Sequence, residues 1–293
     1  MEDLLKKTLM NLQKMYFNSQ DKVREFKRDW DDVRFTNGRK RHDINVTASL
    51  IYLYKHYDMD FSLLDNFLSS GKINNPGFQN TMKAYIYEKY IQKFVSEKAY
   101  LDDDFLLGVA FFYDEQKLYR EDGAREDNES LNTLLVELLD SHNLKNFSFL
   151  QGNANPGRIL LDVVSKTSLL NYTAYAINPD LIVVLQLRIL LLQTIQQNIE
   201  LSGIIQPKEL FENQLFDRIL TMPLWRPSSN TMEDFPERTS LSRLDVPESK
   251  IADGEWHEIL FNFSLLDRNG KMVTLITNST LANNLSVKTR QAL

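Results

Sequence analysis

The sequence predicts an α/β protein: a mostly parallel, Rossmann-like sheet preceded by a mainly α-helical amino-terminal domain. Before Gln151, apolar residues recur at intervals of three and four, the mark of amphipathic helices packed on one core. After it, short apolar runs alternate with helix-like segments, and that alternation builds a parallel sheet covered by helices. The turn-rich stretch Gly152-Asn153-Ala154-Asn155-Pro156-Gly157 marks the change, dividing residues 1–150 from residues 151–293. A chain of 293 residues, 43% hydrophobic and 25% charged, can bury a sizeable core as one large domain or two smaller ones.

In the first half, Leu4 to Phe17, Val46 to Tyr57 and Met82 to Phe94 carry helical periodicity. Phe105 to Tyr113 is a dense apolar run whose period fits either a buried helix or a strand. Asp102-Asp103-Asp104 reads as a helix start or solvated loop, because adjacent side chains point in different directions and do not converge on a metal. Tyr119 to Glu129 is charged and contains glycine, an exposed loop, and Asn128 is placed to cap a helix over Ser130 to Leu139. In the second half, Arg158 to Val164 and Thr173 to Ile177 read as strands. Pro179 opens a helix that runs from Asp180 to Leu201 and is ended by Gly203. Phe216 to Thr221 is the next strand, Glu255 to Leu266 a helix, and Lys271 to Thr277 a strand after the Asn269-Gly270 turn.

Composition bounds the function. No apolar run reaches the roughly 18 to 20 residues of a membrane span, since Leu181 to Leu192 is interrupted by Gln186 and Arg188. The charged start Met-Glu-Asp-Leu-Leu-Lys-Lys has no secretion-signal pattern, and the absence of cysteine removes thiolate catalysis and cysteine zinc sites, so the cytoplasm is the expected compartment. His42, His56, His142 and His257 have no ligand spacing, so no metal is expected. Neither a phosphate-loop nor a Gly-x-Ser-x-Gly motif is present. A net charge of −6 argues against a chain that coats nucleic acid over its whole surface. A local patch through Lys22, Arg24, Lys27, Arg28, Arg34, Arg39, Lys40 and Arg41, with Trp30 and Phe35 between, is the candidate for phosphate contact. Glu25, Asp29, Asp31 and Asp32 interleave with it, as on a solvated helix face.

Three segments taken in chain order resemble the motifs of adenine-N6 DNA methyltransferases. Leu160-Leu161-Asp162-Val163-Val164-Ser165-Lys166-Thr167-Ser168 resembles the first-strand motif, where Asp-Pro-x-Cys-Gly-Ser-Gly stands in the family. Tyr175-Ala176-Ile177-Asn178-Pro179-Asp180 resembles the second-strand motif, Glu-x-Asn-Pro. Phe216-Asp217-Arg218-Ile219-Leu220-Thr221-Met222-Pro223-Leu224-Trp225 resembles the Asp-x-x-x-x-Asn-Pro-Pro-Phe/Tyr motif. Glu255 to Leu293, with Asn269-Gly270-Lys271 and Leu281 to Arg290, is similar to the helix, Gly-turn, strand and Arg-containing helix that come after that motif in the modification subunits of type I restriction systems. The resemblance covers about half of the chain and rests on order and spacing. It implies a class I methyltransferase sheet, truncated after Leu293, with S-adenosylmethionine as cofactor and DNA, a specificity subunit and a restriction subunit as partners.

The resemblance also implies a degenerate site. Cofactor positions fall on Asp162, Ser165, Lys166, Ser168, Ala176 and Asn178, with Lys166 and Ser168 where the family has glycines and Ala176 where it has a ribose-binding acid. Catalytic positions fall on Met222, Pro223 and Trp225; a thioether replaces the Asn oxygen that accepts the adenine amino hydrogens, while Trp225 keeps an aromatic platform. The expectation is a methyltransferase fold that binds DNA or subunits without methylating. An active adenine-N6 methyltransferase with a divergent site is the alternative, and a Rossmann-like binding module unrelated to DNA is a third.

Overall fold

The structure, a computed structural model, describes residues 2–35, 44–56, 96, 101–113, 129–140, 147–153, 158–166, 171–175, 179–195, 203–205, 214–223, 254–276, 278 and 282. Internal contacts group residues 1–115 with 183–199 as one compact unit, and residues 116–182 with 200–293 as a second.

The first unit is helical. Helix α1 (Glu2–Asn18) buries Leu5, Leu9, Leu12 and Tyr16, spaced at three and four, and α2 (Gln20–Phe35) buries Val23, Phe26 and Trp30 in the same rhythm. Helix α3 (Ile44–His56) is buried on every side over Ile44 to Ile51, as its run of apolar and small residues allows. The run from Phe105 is settled as helix as far as Phe112, within α4 (Asp103–Phe112), and Tyr113 is its extended C-cap. Asp102 is its N-cap, with Oδ1 accepting from the Phe105 N–H at 2.6 Å, so the aspartate triplet is a helix start. At the other end the Tyr113 N–H donates to the Val109 carbonyl at 3.1 Å, and buried side chains meet the carbonyls of the last turn as well. Asn45 Nδ2 donates to the carbonyls of Val109, Ala110 and Tyr113 at 3.2, 3.1 and 2.8 Å, and Arg188 Nε donates to that of Ala110 at 3.1 Å.

The second unit holds α5 (Glu129–Leu138) and a sheet of five strands in the order β3-β2-β1-β4-β5, every neighbouring pair parallel. The strands are β1 (Ser148–Gly152), β2 (Asn171–Tyr175), β3 (Gly203–Ile205), β4 (Phe216–Thr221) and β5 (Leu266–Thr274); in sequence α6 (Arg158–Lys166) follows β1, α7 (Pro179–Ile195), whose residues from Val183 belong to the first unit, follows β2, and α8 (Gly254–Ser264) follows β4. This is the Rossmann-like α/β architecture that the alternation predicts, and its strand order reverses between β1 and β4. At the amino ends of those two strands Asp217 Oδ2 accepts from both the N–H and the hydroxyl of Ser148, at 2.8 Å each. Asp217 is therefore a structural clamp at the end of the sheet away from its ligand crevice.

Several expectations are corrected. Arg158 to Val164 is helix rather than strand, and the first strand lies earlier, at Ser148–Gly152. Ile159, Leu160, Val163 and Val164 bury one helical face while Asp162 is half-buried, an apolar density that also suits a strand. Gly203, read as the end of a helix, opens β3, and α7 extends to Ile195. Strand β5 starts at Leu266, five residues before Lys271, because Asp267 to Gly270 bulge out: Leu266 pairs with Phe216 and Lys271 with Arg218. The Asn269-Gly270 turn survives inside that bulge, with the Asn269 N–H donating to Asp267 Oδ1 at 3.1 Å. Met82 to Phe94, the loop up to Asn128, and Leu281 to Arg290 apart from Ala282 lie outside the described residues.

Candidate functional site

In a parallel open sheet the ligand crevice lies beyond the carboxyl ends of the strands where the order reverses, here beyond Gly152 and Thr221. The connection after β1 is therefore the fold's first strand-to-helix turn. It carries Gly152 and Gly157, so glycines do stand where a Rossmann-like sheet uses them. Asp162, Ser165 and Lys166 lie one element too late for that role: they sit within α6, and the reading of Lys166 as a lost glycine is withdrawn. Ser168, Ala176, Asn178 and Trp225 lie outside the described residues.

Met222 and Pro223 do follow directly on β4, at the reversal point. Met222 is 5% exposed and Pro223 is buried, so the thioether is a core side chain. The loop is tied to β1 by Asn153, whose Nδ2 donates to the Met222 carbonyl at 3.0 Å. Asn153 has φ 47, the left-handed region that asparagine tolerates better than most side chains.

Beneath this tether lies a buried polar cluster that sequence reasoning missed. The hydroxyls of Tyr175, ending β2, and Thr221, ending β4, each donate to Glu258 Oε1 of α8 at 3.2 Å. Asn262, one helical turn on, donates from Nδ2 to the Tyr175 hydroxyl at 2.6 Å and to the Glu258 carbonyl at 2.8 Å. All four side chains are buried. They close on Gly152: a β-carbon there would lie 2.7 Å from Thr221 Oγ1, 2.8 Å from Asn262 Oδ1 and 2.8 Å from the Tyr175 hydroxyl. Burial pushes the Tyr175 hydroxyl well above the ordinary tyrosine range, and the Glu258 carboxylate beside it pushes the same way. Below the cluster Leu150, Tyr175, Phe216, Ile219, Phe261 and Leu265 form the core between sheet and α8. The one sequence signal was the Glu258/Asn262 pair, two polar residues four apart that bracket the apolar Ile259, Leu260 and Phe261.

These side chains bear on the implied cofactor. On the α8 face the hydroxyls that end β2 and β4 are bonded to Glu258, Asn262 Oδ1 is buried without a hydrogen-bond partner, and the room against Gly152 is taken by Tyr175, Thr221 and Asn262. The described residues at the strand ends do not fit S-adenosylmethionine on that face. Among the described residues no His, Cys, Asp or Glu cluster could hold a metal, and no helix is long and apolar enough to cross a membrane. His56 stacks on Tyr52 at 6.1 Å, and His257 sits half-buried in α8; His42 and His142 lie outside the described residues.

The basic patch is described only in part. Lys22, Arg24 and Arg28 are exposed on α2, with Arg24 paired to Asp21 at 3.1 Å. Lys27 Nζ donates to the Tyr113 hydroxyl at 3.0 Å and lies 5.7 Å from that ring, and Trp30 is buried. Arg34 is in α2 with its side chain outside the described set, as are Arg39, Lys40 and Arg41 altogether.

The fold and crevice define a Rossmann-like α/β protein. No protein-family model matches the chain, and no curated protein is matched by it. Among solved structures it is similar to a precorrin-6y C5,15-methyltransferase from Geobacter metallireducens, with a TM-score of 0.35 and 14% identity over 57% of this chain and 71% of that one. A likeness of that size adds nothing to what the strand order already states.

Proposed function

We propose that this chain is a DNA adenine-N6 methyltransferase-like protein of the type I modification-subunit kind that acts by binding DNA or partner subunits and does not methylate. The observation that carries the reading is Met222. At the head of the loop after β4, where the family has a carboxamide acceptor, this chain has a thioether packed in the core, with the adjoining carbonyl already held by Asn153. A thioether is a weak acceptor, so nothing in that position draws the hydrogens from an exocyclic amine. Arg34, Arg39, Lys40 and Arg41 would then serve as phosphate contacts, and a specificity or restriction subunit would be the protein partner.

The active enzyme is kept as a second reading because Gly157 falls in the sequence between β1 and α6, which weakens the argument from a lost glycine at Lys166. Trp225 would supply its aromatic platform. Calorimetric titration of the full chain with S-adenosylmethionine separates the two. No heat and no thermal stabilisation up to about 1 mM supports the binding protein, whereas micromolar affinity with methyl transfer to adenine in duplex DNA establishes the enzyme. Salt-dependent binding to duplex DNA, weakened when Arg39, Lys40 and Arg41 are changed to Gln, separates both from a module unrelated to DNA.

A further inference from the structure

We propose that the solvent face of α1 is a docking seam for an acidic amphipathic helix of a partner protein. The face opposite the buried line of α1 carries Lys7, Met10, Lys14 and Phe17, all exposed, with Met10 and Phe17 at 59% and 58%. Lys7 and Lys14 are seven residues apart, and so are Met10 and Phe17. Residues at that interval return to the same side of a helix within about 20°, so the four form one narrow stripe of alternating lysine and apolar positions. Lys6 stands beside it, and no acidic residue occurs from Leu4 to Gln20.

Charge and shape together select the occupant. Lys6, Lys7 and Lys14 pair with no carboxylate among the described residues, while on α2 Arg24 is already matched by Asp21. A chain of net charge −6 whose helix α1 carries no acid after Asp3, which begins the Met10 and Phe17 line, has from Leu4 onward a surface complementary to acids. The seven-residue spacing is the period a second α-helix meets along a supercoiled seam, where one position wants an apolar partner and the other, here lysine, an acidic one. A bilayer surface would require a broad apolar face, and here the exposed apolar residues of α1, Leu4, Met10 and Phe17, are interrupted by Lys7, Asn11, Lys14 and Asn18. Single-stranded nucleic acid would require several stacking rings, and Phe17 is the one aromatic residue exposed on α1. Duplex phosphates would leave Met10 and Phe17 unused. The inference is independent of whether the sheet binds a cofactor.

The test uses the full chain and a synthetic helical peptide of about four heptads with Leu and Glu at its two seam positions, followed by fluorescence anisotropy. Saturable binding is expected, weakened about tenfold or more by the double variant K7E/K14E and likewise by M10S/F17S, with circular dichroism unchanged. A charge-inverted peptide carrying Lys in place of Glu should prefer the K7E/K14E protein, which a merely structural effect would not produce. Absence of binding by the Glu peptide at about 0.1 mM, or binding indifferent to both variants, overturns the proposal. So does loss of duplex DNA or anionic-vesicle binding in these variants with peptide binding intact.

Discussion

Gly152→Ala is the substitution that asks most of the candidate site. The added carbon would lie 2.7–2.8 Å from three buried polar atoms, whereas ordinary contact begins near 3.4 Å. None is the free end of a flexible side chain: Thr221 and Tyr175 are held by Glu258, and Asn262 by Tyr175 and its own helix. Relief therefore means breaking at least one buried hydrogen bond, at about 1–3 kcal/mol for the group left unsatisfied. Overpacking strain adds roughly 1–3 kcal/mol, and the reduced freedom of the unfolded chain returns at most about 1 kcal/mol. A net loss of about 2–4 kcal/mol is expected in urea unfolding with an unchanged slope. Gly108→Ala is the internal control. Its carbon would meet the mobile Cε of Met15 at 2.9 Å, in a helix interior where alanine is favoured by about 1 kcal/mol, so it should be near neutral. The double variant G152A/T221A should recover part of the loss, because it removes the nearest clashing atom. A loss below about 1 kcal/mol for G152A, or no coupling to Thr221, would refute the account of a cluster closed on Gly152.

Three more outcomes are expected from the same geometry. Asn153→Ala loses both the Met222 tether and the tolerance for φ 47, and should cost about 1–3 kcal/mol; Asn153→Gly keeps the backbone permissive and should cost visibly less, both read by thermal unfolding. Asp217→Ala leaves the Ser148 N–H and hydroxyl without their acceptor between β1 and β4, an expected loss of about 1.5–3 kcal/mol, whereas Asp217→Asn should retain much of the stability. Burial raises the Tyr172 and Tyr175 hydroxyls well above 10, so the stability they confer is whole below the unfolded value of about 10 and drains away as pH climbs above it. Tyrosinate absorbance should show these two titrating only as the sheet unfolds, and two rings ionising freely in the folded protein would contradict their burial.

How much of this was legible depends on where the signals lie. Strand β4 matched its reading residue for residue, because Phe216 to Thr221 is a short stretch ending in the apolar Ile219 and Leu220 and bounded by a proline two residues on. Pro179 marked the start of α7 as read. The first βα unit was displaced by one element: Arg158 to Val164 is so rich in Ile, Leu and Val that both periods fit it, while β1, with Ser148 and Gln151 in it, is the less apolar stretch. That slip moved the expected glycine loop from residues 152–157 to residues 165–168. Of the polar cluster, only the Glu258 and Asn262 spacing showed in the sequence. It depends on Gly152, Tyr175, Thr221 and Asn262 meeting across three strands and a helix, and no local pattern encodes such a meeting.

The bulge in β5 bears on how the folded chain keeps company with others like it. Within the described sheet β5 is the outermost strand, and an outer strand offers unmet backbone groups to any passing segment. Asp267 to Gly270 interrupt its regular pleat, and Arg268, Asn269 and Lys271 face solvent along it. A visiting strand would find no continuous ladder to extend and would bury charge in trying. Excising the bulge would straighten that rim into a template for edge-to-edge growth, so an irregularity that contributes little to the core guards the protein's solubility.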